Sequence, residues 1–170
     1  MTVPALPYSE PVRLHLIPAG VSRRLEPDAA TRNRIARALD LASLDSFAAD
    51  VKLEPTAAGW RLSGRVVASL AQTCGITLEP LPVEVDTRFS FPLAEAVDED
   101  SEEIVITLDD ESPDLIENGQ VDLGQYAVEQ LALQLDPFPR KPGAEFVQPP
   151  EPAEISPFAV LKSRRPDTDG

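Results

Sequence analysis

One cysteine and one histidine are the only thiol and the only imidazole in this chain of 170 residues. Cys74 sits in the stretch Gln72-Thr73-Cys74-Gly75-Ile76-Thr77-Leu78-Glu79-Pro80, and His15 lies far upstream. A Cys–His nucleophile needs the two to meet in space, and neither has a cluster of catalytic partners around it. Cys74 is flanked by Thr73, Gly75 and Ile76, with no basic residue beside it to lower its pKa. His15 reads as a solvated side chain on the polar face of a strand. A tetrahedral zinc site takes about four Cys or His ligands, and Cys74 with His15 falls short of that number. Asp98, Asp100 and Glu102 resemble the start of a calcium loop, yet the glycine and the closing glutamate of EF-hand spacing are missing. Carboxylates abound, but in a segment that reads as a mobile loop, whereas general acid–base work needs fixed geometry. There is no G-x-x-x-x-G-K-[ST] loop, no G-x-G-x-x-G after a strand and no G-x-S-x-G elbow. The residues therefore argue against an enzyme, a cofactor, a bound metal and a small-molecule substrate.

Charge is the stronger signal. The formal net charge is −14, and it is unevenly spread. Residues 1–65 carry nine Lys/Arg and seven Asp/Glu, for +2. Residues 66–136 carry Arg88 against seventeen acids, for −16, and residues 137–170 balance at five each. The acidic middle repels a phosphate backbone and attracts basic proteins; it also serves solubility alone. Asp98, Glu99, Asp100, Glu102, Glu103, Asp109, Asp110 and Glu111 are the candidate partner-binding acids, in a loop placed at 94–114. The one basic concentration is Arg23, Arg24, Arg32, Arg34 and Arg37. It reads equally as a solvated helix face or as a contact to phosphate or an acidic partner.

These residues need elements to position them. Pro11 to Ile17 reads as a strand, with Val12, Leu14 and Leu16 on one face. Pro27 to Leu41 reads as a helix with proline at its first position and a stripe of Ala30 or Ala29, Ile35 and Leu39 beside Ala36 and Ala38. Three strands with a two-residue period follow, at 47–54, 60–71 and 83–91. Phe47, Ala49, Val51 and Leu53 share a face of the first; Trp60, Leu62, Gly64, Val66, Ala68 and Leu70 share a face of the second. Short connections make an antiparallel meander, wet on one side, the simplest topology. Ile104 to Leu108 reads as an edge strand guarded by charge. A helix over 122–136 opens with Asp122 as N-cap and Gln125 completing a capping box. Val121 and Tyr126 are placed to form a hydrophobic staple. Leu123, Ala127, Val128, Leu131 and Leu135 give that helix a core-facing side, and Pro137 ends it.

The rest is extended. Pro137-Phe138-Pro139-Arg140-Lys141-Pro142-Gly143 is a stiff basic segment, adding Arg140 and Lys141 to the candidate nucleic-acid contacts. Residues 148–170 are proline-rich and polar and read as a disordered tail. The tail is interrupted by Pro157-Phe158-Ala159-Val160-Leu161, with Lys162, Arg164 and Arg165 close behind. Such a patch is either a docking motif or a segment that folds back on its own domain. No apolar run approaches the roughly 18 residues of a membrane span. Met1 to Pro11 has no secretory pattern, and a lone cysteine fits the cytoplasm.

Three stretches resemble the YceD family, the large ribosomal RNA subunit accumulation proteins. They are the knuckle Gln72 to Pro80, the run from Val121-Asp122-Leu123-Gly124 through Asp136-Pro137-Phe138-Pro139-Arg140-Lys141-Pro142-Gly143, and Pro157 to Leu161. Many relatives carry C-x-x-C in the knuckle; here Cys74 is followed by Thr77, as in the alphaproteobacterial branch. The resemblance implies a cytoplasmic, non-enzymatic protein needed for accumulation of large-subunit ribosomal RNA. The departure at Thr77 removes support for a metal or redox role and leaves Gln72, Thr73 and Cys74 as a structural turn.

The expectation is an α+β domain over 1–147, an antiparallel sheet covered by two main helices, followed by the tail with its 157–162 segment. Its partner is a basic ribosomal protein or large-subunit precursor held by acidic surface. The alternative is direct RNA binding through the arginines; an enzyme of unknown type ranks last.

Overall fold

The computed structural model describes residues 6–95 and 113–149. In chain order the elements are β1 (Pro11–Arg13), β2 (Val21–Leu25), α1 (Ala29–Ala38), β3 (Ser43–Thr56) and β4 (Gly59–Thr73). Then come β5 (Pro80–Glu95), β6 (Asp114–Ile116), β7 (Gln120–Asp122) and α2 (Leu123–Ala132). The fold is α+β. A five-stranded sheet has the order β2-β3-β4-β5-β6, and β1 pairs with β7 in a separate two-stranded sheet.

The three long strands form because apolar side chains alternate along them and bury on one side. Phe47, Ala49, Val51 and Leu53 of β3 join Trp60, Leu62, Val66, Ala68 and Leu70 of β4 in the core. Their cross-strand register (Ala49 opposite Val66, Leu53 opposite Leu62) keeps apolar facing apolar. Gly64 lies opposite Phe89. A Cβ at residue 64 would come within 2.8 Å of the Phe89 ring and 2.5 Å of the Asp50 carbonyl oxygen, so the ring lies over the bare glycine. Ile35 and Ala36 of α1, and Leu123, Ala127, Val128 and Leu131 of α2, complete the same core. Full burial of one such aliphatic side chain is worth about 1.5–3 kcal/mol. The opposite face of the sheet carries exposed Asp50, Lys52, Arg61, Arg65 and Asp86. One wet face and one covered face is the arrangement the alternation implies.

Several boundaries differ from the sequence reading. The strand expected over Pro11–Ile17 stops at Arg13 and stays out of the main sheet. Its partner β7 offers three residues, after which a 3-10 turn over Leu14–Leu16 tucks Leu14 into the core and leaves Leu16 exposed. Strand β2, which the reading passed over, is an edge strand with Arg23 and Arg24 at its centre. In α1 the N-cap is Asp28, whose carboxylate accepts the Thr31 N–H at 2.8 Å. The buried stripe of α1 is Thr31, Ile35 and Ala36, with Ala29 and Ala30 exposed.

β6 runs parallel to β5, with Leu93, Ala94 and Glu95 opposite Asp114, Leu115 and Ile116. The meander thus gains a parallel edge strand. A parallel return needs a connection of about a dozen residues or more, and the acidic stretch between Glu95 and Asp114 is that connection. The strand expected at Ile104–Leu108 lies outside the described residues, as does the 157–162 segment. Among the described residues no helix is long and apolar enough to cross a membrane.

Candidate functional site

The knuckle joins two stretches far apart in the chain. Gln72 is 8 % exposed at the end of β4. Its amide donates to the Asp136 carbonyl at 2.9 Å and accepts the Asp136 N–H at 3.3 Å. Two residues on, Cys74 is fully buried. Its sulfur accepts the Thr77 N–H at 3.4 Å and the Lys141 N–H at 3.3 Å. The Gly75 N–H donates to the Pro139 carbonyl at 2.9 Å, and the Lys141 ammonium meets Glu79 at 2.7 Å. The segment after α2 is therefore fastened along the knuckle by side chain, backbone and ion pair together.

These donors change the chemistry of Cys74. The Thr77 hydroxyl, then the Thr77 and Lys141 N–H groups, lower the thiol to about 6, with burial opposing. No basic residue stands beside Cys74 in the sequence, since Lys141 is distant, and the Thr77 effect depends on how the turn closes. Burial nevertheless denies the sulfur to solutes. His15 is exposed in the 3-10 turn after β1, and neither it nor Cys74 lines the cavities described below. Among the described residues no group of three His, Cys, Asp or Glu could hold a metal ion. What this arrangement can do is hold the chain end of α2 in place.

The arginine candidates fall on different surfaces. Arg24 points to the open sheet face, where it meets Glu26 at 2.7 Å and Asp50 at 3.0 Å. Arg23 faces the helix side, in register with buried Val51. Arg32 donates to the Pro27 carbonyl at 2.9 Å, and Arg34 to the Thr31 hydroxyl at 2.8 Å. Arg37 is exposed in the last turn of α1, where cations are favoured. Arg140 is exposed beside Lys141 on the fastened segment.

The sheet builds a different cationic group on its open face. Arg24, Asp50, Arg65 and Arg88 stand in one row across β2 to β5. Lys52 and Arg61 flank that row, and acids interleave with them: Arg65 meets Asp86 at 2.7 Å, and Lys52 meets Glu54 at 2.7 Å. Such alternation cancels most of the field beyond about 8 Å at physiological salt.

The candidate acids Asp98 to Glu111 lie outside the described residues. Directly after them the chain builds an acidic groove that the reading missed. Asp114 of β6, Glu117 of the following turn, Asp122 of β7 and Glu129 of α2 line a cavity of about 650 Å³ with Leu115 and Tyr126. An adjoining hollow of about 510 Å³ shares Asp114, Tyr126 and Glu129 and reaches Phe91 and Leu133. Burial, then the charges of Asp114 and Glu129, hold the Tyr126 phenol above its usual range.

Asp122 anchors one end of the groove. Its carboxylate caps α2 by accepting the Gln125 N–H at 3.0 Å and also takes the Glu10 N–H at 2.8 Å. The Gln125 side chain turns to Glu129 at 2.8 Å, and the Tyr126 ring packs on Phe91 with centroids 5.4 Å apart. The sequence signal available was the spacing of Asp122, Gln125, Tyr126 and Glu129, which marks the helix face opposite the core.

The family model described as Large ribosomal RNA subunit accumulation protein YceD matches residues 62–163. That span holds most of β4, the knuckle, β5, α2 and the fastened basic segment. No curated protein and no solved structure matches.

Proposed function

We propose that this chain, which belongs to the YceD family, supports the accumulation of large-subunit ribosomal RNA without catalysing a reaction. It does so by holding a basic ribosomal protein or an assembly intermediate against its acidic side. The observation that carries this reading is the placement of charge. Acid gathers without interleaved cations in the 96–112 segment and in the groove beside α2 that follows it. Of the candidate arginines, Arg24, Arg32 and Arg34 are engaged by neighbouring carboxylates, a carbonyl and a hydroxyl. The work belongs in the cytoplasm, where ribosomes assemble. The low-pKa thiol favours no enzymatic role, since it is sealed from substrate.

A second reading, direct RNA binding, draws on the exposed row of Arg24, Arg65 and Arg88. Affinity-tagged protein recovered from native lysate, with and without RNase, separates the two. RNase-resistant recovery of a basic ribosomal protein is the expected result. Recovery lost with RNase favours the arginine face, and recovery of neither ribosomal protein nor ribosomal RNA overturns both readings.

A further inference from the structure

The groove beside α2 combines carboxylates with exposed apolar surface, and the same chain carries a segment of complementary kind. Leu115 is 63 % exposed and Leu133 is 72 % exposed, so the two hollows they line offer apolar surface to an occupant. Asp114, Glu117 and Glu129 give this surface its charge. Burial first, and then the charges of Asp114 and Glu129, raise the Tyr126 phenol beside them. In the sequence, Phe158, Val160 and Leu161 are followed by Lys162, Arg164 and Arg165. The family match runs to residue 163, beyond the last described residue and through the apolar half of that segment.

Geometry allows the two to meet. Lys141 is fixed to the knuckle just after the end of α2. The structure describes the chain on to residue 149, and the stretch of chain from there to residue 157 reaches up to about 26 Å at roughly 3.3 Å per residue. α2, with its ten residues, is only about 15 Å long. A tether of this kind gives an effective concentration on the order of millimolar, so even a weak contact closes.

We infer that residues 157–165 seat in this groove of their own chain, with Phe158 and Leu161 on its apolar wall and Lys162, Arg164 and Arg165 against its carboxylates. The groove is the one the proposed function gives to a basic partner, so a seated tail and that partner exclude one another there; the contact is therefore read on the isolated protein, apart from what the pull-down recovers.

The test uses the full-length chain, labelled with nitrogen-15 and carrying a nitroxide on Ser163→Cys. Cys74 is sealed from the reagent by its burial. The labelled chain is diluted into excess unlabelled protein, so that only contacts within one molecule register. The expected result is loss of the amide signals of Leu115, Glu117 and Tyr126, with recovery when Leu161→Asp is added. Leu161→Asp lies outside the described fold, so the remaining spectrum reports whether the domain is intact. Unchanged groove signals, loss on a different face, or loss that vanishes on dilution with unlabelled chain would each overturn the inference. The last would point to a second copy as the occupant.

Discussion

Replacing Gln72 with alanine unfastens the end of α2 from the end of β4. The side chain makes two hydrogen bonds to the backbone of Asp136, one donated and one accepted. Each is worth about 1 kcal/mol net, and leaving a buried partner unmade costs about 1–3 kcal/mol. Asp136 is exposed, so water takes over its N–H and C=O, and the loss stays near the sum of the two bonds, about 2 kcal/mol. For a domain of this size that corresponds to a fall in melting temperature of about 4–8 °C. Gln72→Glu keeps an acceptor for the Asp136 N–H but aims a second oxygen at the Asp136 carbonyl, in a site that is 8 % exposed. It therefore destabilises at least as much as alanine near neutral pH. Circular dichroism melts with urea titrations at constant m-value measure both variants. If both melt within about 1 °C of the parent, the clasp contributes nothing and the reasoning fails.

Cys74 makes folding pH-dependent with a definite sign. Its folded value of about 6 lies below the roughly 8.5 of a free thiol. The thiolate's contribution is complete above the unfolded value and is lost as the pH falls through the folded one. The urea midpoint of the parent relative to Cys74→Ser should therefore rise between those two values; a flat difference would show that the thiol does not ionise in place. Gly124→Ala brings a Cβ to 2.9 Å from the Glu10 nitrogen and 3.2 Å from the Ser9 Cα. Overpacking against backbone costs about 1–3 kcal/mol, more than the roughly 1 kcal/mol of helix propensity regained. Faster hydrogen exchange at Val12 and Val121 would report the displaced β1–β7 pair, and a stabilised variant would refute the close approach. Asp122→Ala removes a helix cap and the tie to Glu10. A loss of about 1–2 kcal/mol is expected from the cap alone, whereas Asp122→Asn, which keeps an acceptor oxygen, should lose less; equal losses would assign the effect to charge.

The long elements were legible because their cause is local. Alternation along Phe47–Leu53 and Trp60–Leu70 specifies which side is buried wherever those strands pair, and Asp122 caps a helix with a residue three places on. The two-faced sheet and both helices follow from those patterns, within shifts of a few residues at the ends. The stripe expected on α1 held at Ile35 and Ala36, with Leu39 packed against the core, while Ala29, Ala30 and Ala38 are exposed and Thr31 takes a buried place.

What the tertiary structure alone decided are contacts between distant segments. β1 and β7 are three residues each, too short for a periodic signal, and β6 is defined only by lying parallel to β5. The knuckle reads as a turn in sequence, yet Gln72 bonds Asp136, 64 positions along, and Cys74 takes the Lys141 N–H, 67 along. The acidic groove likewise draws Asp114, Glu117 and Glu129 from β6, a turn and α2. Thr77 and Glu129 are local neighbours of Cys74 and Tyr126, but the Lys141 N–H and the Asp114 charge reach those groups only where the chain returns, and no window of residues carries that part.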